Sequence, residues 1–123
     1  MAFLNDRVFD NGLTVLDTEA NSVHVTSAEA TTYTEAITTY TLGVSSSLSI
    51  AAPTDRVGGG RKVTVASIAD GSITGTGTVT HYALVDTTNS RLLATAALTA
   101  SQSVTNGNTF TLATFDIGIP DPT

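Results

Sequence analysis

The sequence predicts a mainly β domain: an antiparallel β-sandwich or jelly-roll-like barrel with one short N-terminal helix and extended termini. Three observations carry that expectation. Threonine and serine supply 24 and 11 of the 123 residues, while charged residues make up only 13%, against a usual share of about 25%. Threonine is β-branched and suits a pleated, half-exposed surface, so a polar surface built from hydroxyls points to strands. Short alternating runs in the second half recur at roughly 8–12-residue spacing between turn residues, the pattern of an antiparallel sandwich or barrel.

Length fits one domain spanning 1–123. It divides into an N-terminal arm (1–5), a helix (6–19), a sandwich (20–117) and an extended tail (118–123). The helix rests on Phe9, Leu13, Leu16 and Ala20, which share one helical face, with Asp6 placed as its cap. Asn11-Gly12 between short apolar runs is the competing hairpin signal. A mid-helix glycine costs about 1 kcal/mol, which the aligned apolar face outweighs.

Val23, Val25 and Ser27 alternate with His24 and Thr26, predicting a short strand with two distinct faces. Residues 28–40 show no period and read as a loop or one weak helical turn anchored by Tyr33, Ile37 and Tyr40. Leu42, Val44, Leu48 and Ile50 mark a second strand interrupted by serines, and Pro53 to Gly60 a loop. Arg61 to Ala69 reads as a strand, Asp70-Gly71 as a tight turn, and Ser72 to Asp86 as a long strand with Thr74, Thr76, Thr78 and Thr80 along one face. Gly75 and Gly77 mark a bulge or a close backbone approach. Then come a turn at Asp86 to Ser90, a strand from Arg91 to Thr99, a further one at Ser101 to Val104, a turn at Asn106-Gly107, and a strand from Thr109 to Ile117. If Phe110 is core, its replacement by alanine costs about 3–5 kcal/mol.

Charge and composition narrow the function. With 5 basic and 11 acidic residues the net charge is −6 and the pI about 4.4, leaving no basic field for nucleic acid. Apolar runs reach at most four residues, at Met1 to Leu4 and Tyr82 to Val85, too short for a membrane span or a signal core. That favours synthesis in a cytoplasm. With no cysteine, disulfides and thiolate metal sites are excluded.

Candidate chemistry is sparse. The two histidines, His24 and His81, lack a carboxylate at motif spacing. Ser67, His81 and Asp86 make a triad on paper without a nucleophile elbow. Gly58-Gly59-Gly60-Arg61-Lys62 lacks the spacing of a phosphate-binding loop. Asp55, Asp70, Asp86, Asp116 and Asp121 fall near predicted turns but show no calcium-loop spacing. Tyr33, Tyr40 and Tyr82 are candidates for stacking on a sugar, and the threonine ladder for ordering water as ice-binding arrays do. No enzyme, catalytic residue, metal or cofactor is expected.

Several stretches resemble a group of small virion structural proteins of tailed phages. They are the opening Asn5 to Ala20; Ser27-Ala28-Glu29-Ala30-Thr31-Thr32-Tyr33-Thr34-Glu35-Ala36, similar to the pattern S-x-E-P-T-T-Y-x-E-A; Gly60 to Thr64; Gly75 to Ala83; and Asn106 to Leu112. Ala30 departs from the pattern's proline, which loosens the turn expected there. The resemblance implies a virion structural protein of a double-stranded DNA phage. Size and physics narrow this to a capsid decoration, or cement, protein on the outside of the shell, made in the host cytoplasm. Its partner is then the major capsid protein, and by analogy it is a homotrimer. Phe3, Leu4, Phe9, Ile117, Ile119 and Pro120 are the expected subunit or capsid contacts. The alternatives are a tail or head–tail junction component and a glycan-binding module.

Overall fold

The structure is a computed structural model that describes residues 3–4 and 12–119. In chain order it contains β1 (Phe3–Leu4), α1 (Thr14–Glu19), β2 (Ser22–Thr26), a π-helical turn (Glu35–Thr39), β3 (Thr41–Ser45), β4 (Thr54–Asp55), β5 (Arg61–Val65), β6 (Ile68–Ile73), β7 (Gly77–Asp86), β8 (Arg91–Val104), β9 (Thr109–Leu112) and β10 (Phe115–Ile119). The larger sheet has the order β1-β8-β7-β2-β3-β6-β9 and the smaller β10-β5-β4. Every pairing is antiparallel, and the larger sheet curls into a half-barrel. The expected mainly β sandwich or barrel is therefore present.

The chain forms three layers. Between the two sheets lies the main core, where Val23 and Leu84 of the larger sheet meet Val63, Val65 and Ile117 of the smaller. Helix α1 adds Val15 and Leu16 to it, and Leu13 just before the helix joins them. On the opposite face of the larger sheet, the segment from Ala30 to Tyr40 forms a roof. Ala30, Ala36, Tyr33, Ile37 and Tyr40 cover Ala83, Val85 and Leu92. This second layer explains why all five residues of β2 are buried, although the alternation gives the strand two distinct faces. The weak turn expected at 28–40, anchored by Tyr33, Ile37 and Tyr40, is the π-helical turn of that roof.

Several boundaries differ from the sequence expectations. Gly12 has φ +71°, outside the right-handed helical region, so the helix cannot run back through it. It begins at Thr14 instead of Asp6, and residues 6–11 of the expected 6–19 helix lie outside the described residues. Asp70-Gly71 is not a turn but the middle of β6. The long strand expected from Ser72 to Asp86 breaks at Thr74–Thr76, where Gly75 and Gly77 lie against the Leu42 side chain. The threonine ladder accordingly keeps only Thr78 and Thr80 on a strand.

The Pro53–Gly60 loop contains β4, which pairs with β5 across Gly58, Gly59 and Gly60, all at positive φ. Residues 91–104 form one strand where two were expected, and residues 109–117 form two strands in different sheets where one was expected. Phe3 and Leu4 are not a free arm: their backbone pairs with Thr95 and Ala94 of β8. Gly118 and Ile119 likewise belong to β10, opposite Lys62 and Arg61, and only residues 120–123 of the expected tail fall outside the described residues.

Candidate functional site

Among the described residues, several ionisable side chains are tied into the fold. Asp86 ends β7, and its carboxylate accepts hydrogen bonds from the Thr88 N–H (3.0 Å), the Asn89 N–H (3.3 Å) and Asn89 Nδ2 (2.8 Å). Burial pushes its pKa up. The bonds from Asn89 and Thr88 and the Arg91 charge outweigh that, holding it below the usual aspartate value. It thus closes the β7–β8 turn. The paper triad does not assemble, because the His81 Nδ1 meets the Thr80 hydroxyl at 2.8 Å while Asp86 is spent on its own turn.

Asp116 accepts from Thr64 Oγ1 (2.7 Å) and Lys62 Nζ (3.0 Å), and these bonds lower its pKa. Asp70 accepts from Ser45 and Ser47, and Asp55 pairs with Arg61. Glu35 accepts from the backbone and hydroxyl of Thr31 (both 2.8 Å), which keep its pKa low. Among the described residues no group of three His, Cys, Asp or Glu is placed to hold a metal ion. The glycine run at 58–60 is a hairpin turn fastened by Arg56, whose Nη1 donates to the Gly59 carbonyl at 2.9 Å.

Both histidines lie on the roofed face. The His24 ring nitrogen Nδ1 is hydrogen-bonded to Thr41 Oγ1 at 2.8 Å, and that hydroxyl also lies 3.2 Å from the Gly43 carbonyl. Burial lowers the pKa of His24. His81 Nε2 stands 4.0 Å from Glu29 Oε2.

The three tyrosines considered for sugar stacking do not converge. Tyr33 and Tyr40 belong to the roof, whereas Tyr82 packs on the opposite face against Phe115, with ring centroids 4.5 Å apart. Burial pushes the Tyr82 hydroxyl up to about 12.

The expected contact residues are scattered. The Ile117 side chain is part of the main core, and Ile119 packs against that core half-buried. Phe3 and Leu4 sit on the edge of β8, and Phe9 and Pro120 lie outside the described residues.

What the sequence reading missed is a groove between the second half of β8 and β9. One wall is Leu98 to Val104 and the other Thr109 to Ala113, enclosing about 590 Å³. A smaller recess of about 320 Å³ extends the groove past Ala96 and Ala97 to Tyr82, Phe115 and Asp116. Leu98, Val104, Phe110 and Leu112 line it and pack against Val25, Ile73 and Val79 beneath. The groove exists because β8 leaves its register with β7. Ala97 faces His81 and Gln102 faces Val79, so five steps along β8 match two along β7 and the strand bends outward. β9 meanwhile pairs with β6 instead of folding back on β8. The signal available in the sequence was the absence of Asp, Glu, Lys and Arg from Leu92 to Phe115.

No helix among the described residues is long and apolar enough to cross a membrane. No family model matches the chain, and the comparisons with curated proteins and with solved structures found no match.

Proposed function

We propose that this chain is a structural component of a tailed-phage virion, and specifically a decoration protein that binds the outside of the capsid and bridges neighbouring shell subunits. The observation that carries the reading is how the side chains are used. Asp55, Asp70, Asp86 and Asp116 each hold a turn, a hairpin or a strand pair, so what the surface offers a partner is preformed area. The resemblance of Ser27–Ala36 and the four other stretches to virion proteins supports the same reading. So does a hydroxyl-rich surface on a chain of net charge −6, which stays soluble before assembly.

The mechanism is additive binding. A shell packed with DNA is pushed outward and is weakest where subunits meet. A rigid domain touching two of them adds buried area across the joint. A standard interface buries about 1,600 Å², and simultaneous contact with several subunits gives avidity that one contact lacks.

The test is to compare particles with and without the chain under heating and osmotic shock. Particles lacking it should release their DNA at a lower temperature, and re-addition of purified protein should restore the loss. Equal resistance would remove the reading.

A further inference from the structure

We propose that the roof over the larger sheet is an acid-responsive strap. When His24 takes up a proton, the segment from Ala30 to Tyr40 lifts off the sheet while the core strands stay paired. This goes beyond the virion reading and does not depend on it.

His24 sits at the root of the roof. It lies in the middle of β2, 8% exposed, opposite Val44 of β3 and Ala83 of β7. Its Nδ1 is hydrogen-bonded to Thr41 Oγ1 at 2.8 Å, and Thr41 directly follows the roof in the chain. Beside it the Ser27 N–H donates to the Tyr40 carbonyl at 3.0 Å. These two bonds fasten the end of the roof to the end of β2, so a change at His24 acts there first.

An imidazolium at this position would have no counter-charge. Its neighbours Val44 and Thr41 on β3, Ala83 on β7 and Thr95 beyond it on β8 are all un-ionised. His81, opposite Thr26, is one diagonal step away, and in its protonated form it would repel a second positive ring. The roof segment contributes Glu29, Tyr33, Glu35 and Tyr40. Glu29 stands 4.0 Å from His81 Nε2, and Glu35 is bonded to Thr31. Asp86 and Arg91 lie further along, at the β7–β8 turn. Among the described residues no carboxylate forms an ion pair with His24. A charged ring must therefore stay buried and unpaired, which is costly, or reach water by displacing what covers it.

What covers it is lightly held. The only fully buried side chains of the roof are Ala30 and Ala36, while Tyr33, Ile37 and Tyr40 are half-buried. The main core, by contrast, encloses Leu16, Leu84, Leu93, Val63 and Val65. Among the described residues no backbone hydrogen bond joins residues 29–39 to the sheet. The Tyr40 N–H instead donates back to the Glu35 carbonyl at 2.9 Å, the long-step bond of a π-helical turn, a form frequent at functional sites. A segment with so few apolar contacts opens at a fraction of the global cost.

Native-state hydrogen exchange of the whole chain, read by NMR at several pH values and corrected for intrinsic rates, tests this. The Ser27, Ala36 and Tyr40 amides should be at least ~100-fold less protected than those of Val23 and Leu84 on the central strands, at pH 7.5 and at 5.0. Their protection should fall on the order of 10-fold between those two values, as for a histidine released to its ordinary pKa of about 6.5. In His24→Gln the fall should vanish, and in His81→Gln it should persist. If His24→Gln does not fold, the wild type decides the matter. Its loss of roof protection should begin near pH ~6.5 and level off below the midpoint at which the His24 ring protons titrate.

Roof and core amides equally protected, roof protection unchanged with pH, a fall that survives in His24→Gln, or one lost in His81→Gln would each overturn the proposal. No particle is involved, so failure here is separate from failure of the virion reading.

Discussion

Gly71 lies directly beneath the ring of Phe110. The two face each other across β6 and β9, and a Cβ built on Gly71 would overlap three atoms of that ring. This contact explains why a glycine stands in the middle of a strand, where it costs backbone entropy. Gly71→Ala should destabilise the fold by about 1–3 kcal/mol through overpacking. Phe110 is half-buried, so Phe110→Ala should cost about 2 kcal/mol, less than the ~3–5 of a fully enclosed phenylalanine. In a Phe110→Leu background the Gly71→Ala penalty should shrink by about 1 kcal/mol. Urea melts of the double-mutant cycle measure that coupling, and a coupling of zero would mean that the ring lies elsewhere.

His24 should make the fold acid-sensitive above the carboxylate range. Burial holds its folded pKa below 6.5, so as pH falls the unfolded chain takes up the proton first. Stability is complete above about 6.5 and declines as pH drops through the folded value. His24→Gln should flatten that decline, with thermal melts at pH 7.5 and 5 showing a smaller difference than in the wild type.

Asp86 contributes a second, lower window. Its folded pKa lies below the ordinary 3.8, so its stabilisation is present above that value and is lost as pH falls further. At pH 7, Asp86→Ala removes a charged acceptor of three bonds and should cost about 2 kcal/mol. Its melting curve should also lose part of the acid dependence below pH 4. A variant as stable as the wild type at both pH values would mean that the turn closes without it.

Thr95 offers a gain instead. It is 2% exposed, and its Oγ1 has no hydrogen-bond partner. A buried hydroxyl without a partner is a net cost, and valine has nearly the same shape. Thr95→Val should raise stability by about 1 kcal/mol, read as a higher denaturation midpoint at unchanged slope.

The strand content was legible because period-two alternation and turn residues are local signals. Val63 and Val65, or Asn106-Gly107, announce themselves within a few residues. The roof over β2 was not legible. Whether the alternating face of Ser22, His24 and Thr26 meets water or the Ala30–Tyr40 segment depends on where a period-free loop folds back.

Asp70-Gly71 misled for a related reason. It carries a strong turn signature, but the space a glycine leaves was needed for a ring nearly forty positions away in the chain. The groove was hidden because it arises from what β8 and β9 do not do, namely pair with each other. Only the long uncharged stretch marked it.

The most direct measurement of the central reading is the copy number and position of this chain on purified phage particles, by quantitative mass spectrometry and electron microscopy. On the order of hundreds of copies over the outer shell, repeated with its symmetry, is the expected result. A single ring at the tail or its junction, or no copies on the particle at all, would contradict it.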